Sequence, residues 1–144
     1  MSHTRDLLDG YARLLAEAGI GVYRESGQYT ATETGITIAK VPDTPDRIIT
    51  LTPYDVDSTS GLTDVTEGLQ IRFRTGPDPR PALDLEDAVF EALHMREHTL
   101  VGGVPVALSW RQSWSWIGAD ARGRLELTAN YYLRLSRSSP HLID

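Results

Sequence analysis

Leu125-Glu126-Leu127-Thr128-Ala129-Asn130-Tyr131-Tyr132-Leu133-Arg134-Leu135-Ser136 alternates apolar and polar side chains over its whole length. Successive side chains of an extended chain point to opposite faces, so this period of two predicts a strand with one face in a core and the other toward water. It is the clearest element in the chain, and it sets the expectation of a sheet covered on one side only.

Working upstream, Gly102-Gly103 lies between Thr99–Val101 and Val104–Trp110, the pattern of a hairpin closed by a two-residue turn. Continuing the alternation from Val104 puts Trp110 in the core. Residues 113–124 then read as a loop that carries Trp114 and Trp116. Before the hairpin, Leu85, Ala88, Val89, Ala92 and Leu93 recur at helical spacing, and a helix is expected from about Asp84. Glu86 and Asp87 then fall in its first turn, where the helix dipole favours anions. The stretch 76–81 (GPDPRP) is a stiff turn. Leu69, Ile71 and Phe73 alternate with Gln70, Arg72 and Arg74 as a half-buried strand.

Residues 54–67 (YDVDSTSGLTDVTE) are acidic and polar, and are expected to form a long loop that orders only on assembly. Residues 47–52 form a β-branched strand that Pro53 should stop, and 36–39 a short apolar one. At the start, Leu7, Leu8, Tyr11, Leu14, Leu15 and Ala18 make one apolar helical stripe, with Thr4 as the expected cap and Gly19 as the terminator. Residues 20–23 read as a short extended piece. The order α-β-β-β-α-β-β-β predicts a single α+β domain over residues 1–144, with a mostly antiparallel or mixed sheet and two helices on one face.

The chain has 144 residues, 40% of them hydrophobic, and no cysteine, so it can bury a core without disulfides. Residues 1–15 lack a continuous apolar core and no apolar run has the length of a membrane span, so a cytosolic, soluble chain with no membrane partner is expected. A net charge of −6 argues against nucleic-acid binding, and the only basic clusters are Arg72/Arg74 and Arg122/Arg124. Lys40 is the one lysine among fourteen basic residues, a bias that fits GC-rich coding.

Little here points to chemistry. His94 and His98 have the i, i+4 spacing of a metal clamp on a helix, but no glutamate follows the first histidine, and a solvated helix end is the better reading. Asp55, Asp57 and Thr59 open like a calcium loop, but Ser60 replaces its glycine and Thr66 its glutamate. No serine elbow, P-loop or nucleophile–base pair occurs, so no catalytic residue, metal or cofactor is expected.

Six stretches in order carry a resemblance: 7–23 (LLDGYARLLAEAGIGVY), 45–54 (PDRIITLTPY), 68–80 (GLQIRFRTGPDPR), 84–94 (DLEDAVFEALH), the Gly-Gly hairpin and 130–135 (NYYLRL). Together they resemble the minor capsid and tail terminator proteins of long-tailed phages, especially those of actinobacteria. Residues 113–116 depart from that pattern. The resemblance implies a non-enzymatic virion subunit, made in the host cytoplasm. It would form a hexameric ring on the head-proximal end of the tail tube and contact both tube protein and neck or head-completion proteins. The alternatives are a neck protein of the same virion, or a small-ligand or metal-binding domain. Candidate interface residues are Arg72 and Arg74 on a free strand face, Asp55, Asp57 and Leu62 in the acidic loop, and Trp114 and Trp116.

Overall fold

The computed structural model describes residues 2–58 and 63–138. Its elements run α1 (His3–Glu17), β1 (Val22–Tyr23), β2 (Gly35–Ile38), β3 (Ile48–Asp57), β4 (Asp64–Arg74), α2 (Arg80–Leu93), β5 (Arg96–Val101), β6 (Val104–Ala119) and β7 (Leu125–Ser136). All seven strands form one sheet in the order β1-β2-β3-β4-β7-β6-β5. The β1–β2 and β2–β3 pairs are parallel and the rest antiparallel, so the sheet is mixed.

The α1 stripe buries Leu7, Leu8, Tyr11, Ala12 and Leu15. Each large side chain so removed from water contributes about 1.5–3 kcal/mol. The cap is Ser2, not Thr4: its Oγ accepts the Arg5 backbone N–H at 3.2 Å. Gly19 (φ 79°) ends the helix as expected. Helix α2 starts at Arg80, four residues before the expected Asp84, because Pro81 sits in the first turn, where its missing N–H leaves no bond unmade. Glu86 is therefore not a first-turn anion. It is buried, and its Oε1 accepts from Arg111 Nη1 at 2.7 Å, fastening α2 to β6.

β7 lies at the centre of the core. Leu127, Ala129, Tyr131, Leu133 and Leu135 are all at most 1% exposed, facing Leu69, Ile71 and Phe73 across β4. Helix α1 touches β1, β2 and β3 at one side of the sheet and β5 and β6 at the other, so the sheet curls around it. The curl brings the α1 backbone against the β5–β6 turn. A Cβ added to Gly10 would lie 2.3 Å from the Gly102 nitrogen, and one added to Gly102 would lie 1.8 Å from the Asp6 carbonyl oxygen.

Three expectations are corrected. Pro53 does not stop its strand: β3 runs on to Asp57, and β4 begins at Asp64, so both ends of the expected loop 54–67 are strand, while residues 59–62 lie outside the described residues. The Leu51 carbonyl accepts from Ala39 N on the β2 side. By strand alternation, Pro53 also directs its nitrogen to that side, where β2 has ended and no donor is needed. Residues 113–119 are not a loop either, because β6 continues to Ala119 in register with β7. Finally, Trp110 is not core. A register shift between Val106 and Leu108 gives the inward place to Ser109, which donates to the Leu93 carbonyl at 2.6 Å. Trp110 turns to the other face, edge-on to Tyr132 at 5.8 Å.

Between β1 and β2, Arg24 forks onto Glu33 at 2.6 and 2.7 Å, and the Thr30 backbone N–H donates to the same carboxylate at 2.7 Å. The Arg24 hydrogen bonds, then the Thr30 amide, hold the Glu33 carboxyl at about 2, against an ordinary 4.5. A depressed folded-state value means a contribution present above 4.5 and lost as pH falls through about 2. An NMR titration should place the Glu33 midpoint near 2 and Arg24→Ala should return it toward 4.5; an ordinary midpoint in the unmutated protein would contradict the pair.

Candidate assembly surfaces

The two arginines expected to share a free strand face have different roles. Arg72 reaches Glu126 through two bonds, Nε to Oε1 at 3.1 Å and Nη2 to Oε2 at 2.8 Å, and keeps part of its side chain exposed. Arg74 is 3% exposed, and donates to the carbonyls of Pro45 (2.6 Å), Asp46 (3.0 Å) and Asp43 (3.4 Å). Burial, and behind it the like charge of Arg124, push its pKa below the ordinary arginine value. Its contacts are within the chain, so Arg74 offers no free charge to a neighbour.

Arg124 completes this region. Its guanidinium donates to Asp120 Oδ2 (2.8 Å), Asp46 Oδ1 (3.0 Å), Asp43 Oδ1 (3.1 Å) and the Asp43 carbonyl (2.7 Å). Burial alone would lower its pKa, but the bonds to Asp46, Asp120 and Asp43 outweigh that and raise it. The cluster pins the 39–47 crossover to the β6–β7 turn. In the sequence, a pair of like charges gave no sign of an inward role, since Asp43 and Asp46 lie some eighty residues away.

The histidines do not share a helix face. His94 is the α2 C-cap, stacked on Phe90 at 4.3 Å, and its Nδ1 accepts the Arg111 backbone N–H at 3.0 Å. His98 lies on β5 with φ 48°. Among the described residues no three His, Asp or Glu are grouped to hold a metal ion. A cleft of about 460 Å³ opens beside α1, β1 and β2, lined by Asp9, Tyr23, Arg24 and Lys40, where the Tyr23 hydroxyl donates to Asp9. No histidine lines it.

Among the described residues, two strands run on past the end of their outer strand neighbour. β2 pairs with β3 only as far as Leu51, and β3 runs on beyond that pairing through Thr52–Asp57. β5 pairs with β6 only as far as Ser109, leaving Trp110–Ala119 open. Trp114 and Trp116 lie on the second stretch, each 41% exposed beside Ile117 at 50%. They pair with Ala129 and Leu127, so they stand on the helix-bearing side of the sheet. Asp55 and Asp57 lie on the first stretch, with Asp55 opposite Glu67, whose carboxylate is itself held by His3 at 3.1 Å and Arg137 at 3.4 Å. Leu62 lies outside the described residues.

Residues 14–137 match the family described as "Bacteriophage tail terminator protein". Among solved structures, one chain of "Virion of native gene transfer agent (GTA) particle" shares the fold with a TM-score of 0.56. It is 17% identical, and the match covers 69% of this chain and 78% of that one. No curated protein matches. The family is structural and non-enzymatic, in keeping with Arg74 and His94 being engaged in holding the chain's own loop and helix end. Matched across nearly all of its length, this chain belongs to the bacteriophage tail terminator family and is a structural component of the virion.

Proposed function

We propose that this chain forms a ring, a hexamer by its resemblance to long-tailed phage terminators, on the head-proximal end of the tail tube. There it stops tube growth and presents the surface that meets the neck or head-completion proteins. The family match over residues 14–137 carries this reading. The exposed Trp114, Trp116, Asp55 and Asp57 supply surfaces for protein contacts, as tryptophans are favoured interface anchors. The net charge of −6 suits a subunit that genome DNA passes without sticking. The arginine bias supports a host with a GC-rich genome, such as an actinobacterium.

Particles assembled without this chain should give filled heads beside free tails of uncontrolled length in electron micrographs. Headless tails of normal, uniform length would overturn the terminator role and leave a neck role in its place.

A further inference from the structure

We propose that unassembled copies of this chain pair through β6, the Ser113–Trp116 stretch of one lying antiparallel on the same stretch of a second, about a two-fold axis through Ser115. The contact is isologous, the same surface on both partners. It goes beyond the ring reading and belongs to the free chain, because such an axis makes both ends of an assembly alike, whereas a ring between tube and neck needs two different ends.

The first observation is where the main chain points. On β7, the Arg137 N–H donates to the Thr63 carbonyl on the β4 side, and the Arg124 carbonyl accepts from Asp120 on the β6 side. The β4–β7 register is unbroken, so by alternation the odd-numbered residues of β7 turn their main-chain groups to β4 and the even-numbered ones to β6. Trp114 and Trp116 lie opposite Ala129 and Leu127, both odd-numbered. Their own N–H and C=O groups therefore point away from β7, to the edge that β5 leaves at Ser109. Arg111, opposite Tyr131, obeys the same rule, and its outward N–H is taken by His94 Nδ1 at 3.0 Å. Among the described residues, none takes the outward groups of Trp114 and Trp116.

The second observation is the chemistry of this edge. Residues 112–119 (QSWSWIGA) hold no charge and no proline. Near a two-fold axis a charge meets its own copy, so an uncharged edge suits a second copy of itself, and a charged partner gains nothing there. The neighbouring edge strand, β5, is guarded by Arg96, Glu97 and His98. Trp114, Trp116 and Ile117 are exposed together on the unguarded stretch, a concentration that marks surface meant to be covered.

The third observation is register. Shifts after Arg111 and after Trp116 bound the straight part of the strand, Ser113–Trp116. An axis through Ser115 sets Trp114 of each copy opposite Trp116 of the other, the residues whose groups face outward, and each such pair exchanges both N–H···O bonds. All the indoles stand on the helix-bearing side, so Trp114 packs on Trp116 across the joint. The symmetry itself brings the strand to its own height in the second copy. His94 closes the edge at one end and the kink at Gly118 (φ 125°) at the other, which keeps the joint in the small, transient class and lets it part when a ring forms.

The full chain has no cysteine, which makes the test direct. Ser115 meets its own copy in a non-hydrogen-bonded pair with Cα atoms about 4.5 Å apart, within disulfide range. Purified Ser115→Cys protein should therefore oxidise to a covalent dimer. Ser113→Cys should not, since its copies lie about 14 Å apart along the strands. In sedimentation, the unmodified chain should pass from monomer to dimer with concentration. Trp114→Lys should weaken that dimer on the order of tenfold with an unchanged circular dichroism spectrum. Trp114→Glu with Trp116→Lys sets opposite charges across the joint and should recover part of the loss, whereas lysine at both positions should not. A chain monomeric at millimolar concentration, or equal oxidation of the two serine variants, overturns the joint. Undiminished dimers in Trp114→Lys assign them to another surface, and hexamers that Trp114→Lys dissolves assign this edge to the ring; either result also overturns it. Tail length in particles lacking the chain is a separate measurement, so the terminator reading stands or falls independently.

Discussion

Gly102→Ala is expected to destabilise the fold by about 4 kcal/mol and to lower its melting temperature by on the order of 10 °C. Two costs combine. Gly102 has φ 58°, a left-handed conformation that costs a residue with a Cβ roughly 1–2 kcal/mol. The added carbon would also lie 1.8 Å from the Asp6 carbonyl oxygen, which is helix backbone and cannot swing aside. Gly103, next in the same turn, supplies the control, with φ 79° and nothing within 4 Å of its would-be Cβ. Gly103→Ala should cost only the conformational part, about 1 kcal/mol. Equal losses in two thermal melts would mean that α1 does not press on this turn.

Arg124→Ala should be the second large effect, at about 3 kcal/mol. Breaking a buried charge pair typically costs 3–5 kcal/mol, mainly through the partner left charged and dry. Here Asp43 and Asp46 are 62% and 67% exposed and can rehydrate, which places the expectation at the lower end. Arg124→Lys should restore little, because a point charge cannot reach Asp120, Asp46 and Asp43 at once as the planar fork does. Hydrogen exchange would locate the damage: amides of 39–47 should lose protection while β7 keeps its own. A stable Arg124→Ala protein with an unchanged 39–47 segment would refute the clamp.

These two sites also show what the amino-acid order discloses. The Gly102-Gly103 turn, the β7 alternation and the α1 stripe are local patterns, and each appears in the fold where its spacing put it. What escaped depends on neighbours distant in the chain. Whether a strand survives Pro53 depends on which side the next strand occupies, and β2 stops short of it. Trp110 was misplaced because a register shift after Val106 inverts the side chains that follow, until a second shift after Arg111 turns them back. Residues 113–119 looked like a loop because their serines and glycine mask an extended run that β7 supports from one side only. For the candidate surfaces, residue type alone singled out Trp114, Trp116, Asp55 and Asp57. It could not separate Arg72, on the surface, from Arg74, buried under the crossover.

The seat of α1 between the two sides of the sheet has a consequence for synthesis. The helix leaves the ribosome well before the turn that Gly10 packs against, which lies about ninety residues later. At roughly 5–20 residues per second, α1 waits on the order of 5–20 s with its apolar stripe uncovered before its seat is made. Contacts of such sequence separation slow folding. While those ninety residues are made, the nascent chain thus carries a sticky, uncovered amphipathic segment, a natural client for holdase chaperones until residues 101–104 emerge.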